Sequence, residues 1–383
     1  MIRLLLSTVA IALLAGCSTP AMIEANDAPP VKTVGSVPLH RLWSASVGAT
    51  NTRTLRLGPS VSQGRLFAAD AEGTVTALDA KTGKRIWQQD LERPLSGGPA
   101  SGDGLVVIGT REGAVLGMKA DSGKLEWESG VTSEVLAPAA IGQGTVVVRT
   151  NDGRVFALEE ASGERRWLYD RNVPSLSLRG HSSPVLVQDG AIVGFDNGRL
   201  TALTLEDGTP AWDATVGLSK GKTDLERMVD IDADPVVAGD RVFAASYQSR
   251  IASVRLRDGQ IEWTRDISSY SGLAVDRGNV YVTDDKGRVW ALDRSSGASV
   301  WRQDELSGLA LTAPVRFGDY LAFGASDGYV YFLAKDTGAI VDRRSLDDTR
   351  VLVRPLVSGD RMYVQSGGGR LVAWRLGKAD GSS

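Results

Sequence analysis

Apolar and polar positions alternate along most of this chain in one short frame that keeps returning. In residues 73–87, Val75 and Ala77 alternate with Thr74 and Thr76, the period of two that predicts a strand. Asp79, Thr82 and Gly83 supply turn chemistry, and residues 84–91 run back as the partner strand with Trp87. The frame recurs at 113–127, 153–167, 198–212, 249–263 and 287–301, ending each time in a tryptophan. Two further copies are degenerate: 328–342 carries Asp342 in the tryptophan slot, and 369–374 stops before its second half. The lead positions are 40, 40, 45, 51, 38, 41 and 41 residues apart. A self-similar period of this size predicts a blade-repeat architecture.

Two more short apolar stretches precede each lead residue, near Pro59 and Arg65 in the first copy, which makes four antiparallel strands per repeat. Pro99, Pro138, Pro184, Pro235, Pro314 and Pro355 mark the same upstream point, with Leu273 in that slot once. The expectation is an all-β, eight-bladed β-propeller of four-stranded antiparallel blades. Trp87, Trp127, Trp167, Trp212, Trp263 and Trp301 are expected in the joints between blades, where an aromatic ring buries about 150–250 Å². The last repeat lacks its fourth strand, and residues 39–47 around Trp43 read as a strand with no blade before it. The N-terminal strand is therefore predicted to complete the last blade, so that the ring has no free end.

Upstream of the propeller, Arg3 is followed by an apolar run at 4–14, too short to span a bilayer and suited to a signal peptide. The run ends in Leu14-Ala15-Gly16-Cys17, which resembles a bacterial lipobox and implies cleavage before Cys17 and its diacylation. A plain signal peptide with an incidental cysteine is the alternative. Cys17 is the one cysteine of the chain, so it forms no internal disulfide. Ser18 in place of aspartate implies the outer membrane by the usual sorting rule. The expected domains are a signal peptide (1–16), a lipidated tether rich in Ser, Thr, Pro and Ala (17–37), the propeller (38–376) and a flexible tail (377–383).

With 43 basic and 46 acidic residues, the chain has no basic excess of the kind nucleic acids attract, and none is expected as a partner. Metal and catalytic patterns fail on inspection. Asp230, Asp232 and Asp234 resemble the start of a calcium loop, but Pro235 and Arg241 stand where glycine and glutamate are required. His40 and His181, the only histidines, make neither a zinc site nor a catalytic triad.

The repeats are interrupted twice. From the blade tryptophan to the next upstream proline slot the links span 10–13 residues, except for 17 after Trp167 and 23 after Trp212. Both long links join one blade's end to the next blade's start, so they are expected side by side on one face. Departures from a repeat are where such scaffolds carry function. The first link holds Leu176, Leu178 and Arg179. The second holds a capping-box pattern, Thr223 to Glu226, expected to open a short helix with Met228 and Val229, then Asp230 and Asp232. Aliphatics with an arginine and carboxylates suit a protein-binding patch. The alternative is that Leu176 and Leu178 plug a gap between blades while Arg179 bridges to Asp230 or Asp232.

The repeat Ala-Leu-Asp-x-x-x-Gly-x-x-x-Trp, as at 77–87, resembles the blade motif of the pyrroloquinoline-quinone (PQQ) propeller superfamily. The alternative is a PQQ-type quinoprotein or sugar-processing enzyme using the propeller channel, but the quinoprotein dehydrogenases of that superfamily carry an adjacent cysteine pair that this chain lacks. The lipobox, the eight repeats and the two links together resemble the BamB family, cofactor-free propeller lipoproteins of the outer-membrane β-barrel assembly machinery. That resemblance implies a non-enzymatic scaffold of the Bam complex, lipid-anchored at Cys17 on the periplasmic face of the outer membrane. It implies docking onto the POTRA domains of BamA through Leu176, Leu178, Arg179, Asp230 and Asp232, no cofactor, and aid to unfolded outer-membrane proteins on their way to insertion.

Overall fold

The structure, a computed structural model, describes residues 31–50, 56–171 and 182–377. Its strands form eight four-stranded antiparallel sheets, the blades of a closed ring. Blade 1 runs from its innermost strand outward as Ser60–Ser62, Arg65–Ala69, Thr74–Asp79 and Arg85–Asp90. The innermost strands of blades 2 to 7 are Leu95–Gly102, Ala140–Gly142, Val185–Val187, Val236–Ala238, Leu273–Val275 and Val315–Phe317. Blade 8 holds Leu356–Ser358, Arg361–Gln365 and Arg370–Leu376, and Leu39–Ser46 is its outermost strand, as the sequence predicts. That strand pairs with Arg370–Leu376 from Leu39↔Leu376 to Ser46↔Arg370.

Alternation in the third strand of each blade suggests one buried face, but both are covered. Thr76 is 3 % exposed alongside Val75 and Ala77 at 0 %. Each blade is sandwiched between two neighbours, so apolar clusters form at the joints rather than in one central core. Trp43, Trp87, Trp127, Trp167, Trp212, Trp263 and Trp301 each donate an indole N–H to a backbone carbonyl of the following blade, at 2.7–3.3 Å. Each ring lies under the next blade's outer turn, where a glycine is required twice over. Gly123, for example, has φ +72°, and a Cβ there would lie 2.7 Å from Trp87 Cε3. Burying such a ring contributes roughly 4–6 kcal/mol of transfer free energy before ordering costs.

The joint from blade 7 to blade 8 differs, and the chain ends explain it. Blade 8 has no turn between its two outer strands, because one comes from the C-terminus and the other from the N-terminus. A tryptophan in blade 7 would lack the turn carbonyl it needs. Asp342 stands there instead, and its carboxylate accepts the backbone N–H of Val37 at 2.9 Å. Val34 and Gly35 donate to the carbonyls of Ile340 and Val341 at 3.0 and 3.2 Å. Residues 31–37, within the segment expected to be tether, thus lie along the outer edge of blade 7, with Val37 1 % exposed.

Candidate partner-binding site

Both long links run from an outermost strand to the next innermost one, so they emerge on the same face of the disc, shared with the turns between second and third strands. The first link leaves blade 3 after Tyr169 and enters blade 4 at Val185; the second leaves blade 4 after Thr215 and enters blade 5 at Val236. The two links meet: the Ser183 N–H donates to Asp234 Oδ1 at 2.7 Å. Leu176, Leu178, Arg179 and His181 lie outside the described residues, as does Cys17.

The second link has an exposed half and a buried half. In the exposed half the capping box forms. Glu226 N–H donates to Thr223 Oγ1 at 3.2 Å, and Glu226 Oε2 accepts from the N–H groups of Lys222 and Thr223 at 2.7 and 3.2 Å. These bonds to the ionised carboxylate hold Glu226 below the usual carboxylate range. The box closes one turn and no helix follows, so the expected helix is absent here. Met228 and Val229 instead turn inward and are buried. The turn presents Leu225, 62 % exposed.

In the buried half Val229, Ile231 and Ala233 alternate with Asp230, Asp232 and Asp234. Backbone bonds tie this stretch down: Ile231 N–H to the Phe195 carbonyl at 3.2 Å, and Tyr247 N–H to the Asp230 carbonyl at 2.8 Å. Ile231 packs over Gly194, where a Cβ would come within 2.5 Å of its Cγ2. Asp230 and Asp232 are 0 % and 5 % exposed, so the structure places both beneath the surface rather than on it. Neither carboxylate oxygen of Asp232 has a hydrogen-bond partner among the described residues. Burial, then the nearby charges of Asp230 and Asp196, push its carboxyl well above the usual range, against the pull of Arg149 and Arg56.

Three arginines face these aspartates. Arg149, fully buried at the end of a blade 3 strand, pairs with the equally buried Asp196 of blade 4 and lies over the Phe195 ring. Arg56, entering blade 1, makes a two-pronged pair with Asp234 at 2.7 and 2.8 Å. Burial opposes ionisation of Asp234, but the Arg56 charge and hydrogen bonds and the Ser183 N–H outweigh it, and its carboxyl lies below the usual range. Arg354, entering blade 8, donates to the carbonyls of Leu273 and Pro314 at 3.3 and 3.2 Å. Burial and the neighbouring Arg56 charge lower its pKa, with Asp234 opposing.

Sequence reading missed these arginines. One signal was available: the residue before each upstream slot is Gly58, Gly98, Ala137, Ser183, Gly272 or Ala313, and only Asp234 and Arg354 put charge there.

Fold and site together define an eight-bladed propeller of PQQ-like repeats with a salt-bridged hub and two enlarged links on one face. Among the described residues no group of three His, Cys, Asp or Glu side chains is placed to hold a metal ion, and no helix is long and apolar enough to cross a membrane. A family model described as outer membrane protein assembly factor BamB matches residues 40–92, 71–303 and 295–383. The outer membrane protein assembly factor BamB of Alkalilimnicola ehrlichii is 53% identical over 376 residues, 98% of this chain and 97% of that protein. The crystal structure of BamB from Moraxella catarrhalis superposes with a TM-score of 0.82 at 30% identity, covering 88% of this chain and 100% of that one. The quinohemoprotein alcohol dehydrogenase ADHIIG of Pseudomonas putida, at 13% identity and a TM-score of 0.72 over 93% of this chain and 79% of that one, shares the fold alone. The chain belongs to the BamB family of outer membrane protein assembly factors, a non-enzymatic family.

Proposed function

We propose that this protein is a scaffold of the Bam complex that docks onto the periplasmic POTRA domains of BamA through its two long links. In this reading Leu176, Leu178 and Arg179 make the contact, while Asp230 and Asp232 shape the base on which the links rest. A lipid on Cys17 tethers the disc to the inner leaflet of the outer membrane, where it aids delivery and insertion of unfolded outer-membrane proteins. The observation that supports the reading most is the direct junction of the two outsized links, Ser183 to Asp234, on one face of an otherwise regular ring. Two loops that share a buried base form one surface, as a partner-binding patch needs.

The test is Arg179→Glu in the full-length lipoprotein. Loss of co-purification with BamA, at an unchanged melting temperature, is the expected outcome. Undiminished co-purification removes Arg179 from the interface and the reading with it.

A further inference from the structure

We infer that Arg56, 178 residues away from Asp234 in sequence, is a positioning residue that locks both links to the hub from the opposite side of the ring. Blades 1 and 5 have three blades between them either way round, so the Arg56–Asp234 pair spans the axis of the disc. Both terminal guanidinium nitrogens are engaged with Asp234, and Nη1 also reaches the Asp232 carbonyl at 3.5 Å. A planar fork held at two points fixes orientation as well as distance, which a lysine ammonium does not. Arg56 is itself held at its backbone, donating to the Ser96 carbonyl at 3.3 Å and accepting from Gly98 N–H at 3.2 Å. The clamp therefore stands on blades 1 and 2 and grips blade 5.

Its grip extends to the first link, because Asp234 Oδ1 takes both Arg56 Nη1 and the Ser183 N–H. One carboxylate oxygen thus joins the end of the first link, the end of the second, and a guanidinium from across the axis. Removing the guanidinium leaves Asp234, partly buried, with one backbone donor among the described residues and frees the bases of both links at once. The deeper role rests on the docking reading above: the geometry of the patch is set at the hub, by a residue outside either link.

Hydrogen exchange on the full-length protein tests this, read at Ser183, Ile231 and Tyr247, whose N–H groups bond to Asp234, Phe195 and Asp230. In Arg56→Gln these amides are expected to exchange at least tenfold faster, while blade 7 amides such as Phe332 keep their rates, and affinity for BamA falls about tenfold. Arg56→Lys, which keeps the charge and loses the fork, is expected to show a partial effect and carries the same comparison should the glutamine variant not fold. Unchanged exchange at all three amides overturns the clamp. Faster exchange with undiminished affinity upholds the clamp and overturns the docking reading instead.

Discussion

At the scale of single residues, Asp232 sits in an environment far from that of the free side chain. Its carboxyl is raised by burial and by two neighbouring carboxylates, so the folded protein holds this proton more tightly than the unfolded chain does. Below the unfolded value of about 4 both states are protonated and the contribution to stability is fully present. As pH rises through the folded pKa, the native state must ionise a dry site and that stability is lost. Asp234 runs the other way: its lowered pKa gives stability that is present above about 4 and lost as pH falls through the folded value. Asp232→Asn should therefore gain on the wild type steadily from pH 4 upward, by about 1.4 kcal/mol for each unit by which the folded pKa exceeds the unfolded one. Denaturant melts of both proteins across pH 4–8 check this, and a constant difference would show that the folded protein does not hold the Asp232 proton more tightly than the unfolded chain. Arg149 and Asp196 belong to the same buried network, and removing one partner of such a pair costs about 3–5 kcal/mol. None of these pairings could be read from the chain. Arg149 and Asp196 are 47 positions apart and Arg56 and Asp234 are 178 apart, and no local period links them. The aspartates themselves were legible as a departure from the repeat, but their depth was not. Alternation with Val229, Ile231 and Ala233 is equally consistent with a wet face or with a second, buried polar layer.

At the scale of elements, the blades were legible because every copy repeats the same local physics. Turn glycine, returning strand and tryptophan recur at fixed spacing, and each copy reinforces the assignment of the others. Closure could be read for the same reason: a blade short of a strand and a strand short of a blade are complementary defects. The joint between blades 7 and 8 was legible only as a defect. Asp342 looks like a lost tryptophan in sequence, and only the position of the chain ends shows why a carboxylate belongs there. It accepts the N–H of Val37, and residues 31–37 cover the strand edge that the missing turn leaves open. The same arrangement makes the N-terminal strand indispensable. Deleting residues 37–47 removes the outermost strand of blade 8, the Trp43 bond to the Ala80 carbonyl and the partner of Asp342 in one step. The truncated protein is expected to melt well below the intact one, with early loss of exchange protection in blades 8 and 1. An unchanged melting curve would mean that the ring is held shut by something other than this strand.

At the scale of the molecule, the two ends of the proposed function lie on opposite sides of the disc. The N-terminal segment meets blade 7 beside Ile340, where the outermost strand begins, and Leu39 pairs with Leu376 at the same level. Those positions lie at the face of the turns between third and fourth strands; the long links emerge from the other face. Around the ring, the joint of blades 7 and 8 also lies diametrically across from the joint of blades 3 and 4. In the proposed reading a lipid on Cys17 is 14 positions from Val31, so no more than about 50 Å of chain separates them. Such an anchor would keep the N-terminal side of the disc toward the bilayer and turn the links into the periplasm. Val34 is 74 % exposed beside the tether and Leu225 is 62 % exposed on the second link, so each accepts a probe. With Cys17 acylated, Val34→Cys and Leu225→Cys each supply a single reactive thiol for a fluorophore. On vesicles carrying a headgroup quencher, the probe at 34 should be quenched strongly and the probe at 225 weakly. The reverse order would place the links against the membrane, where a soluble periplasmic partner could not reach them.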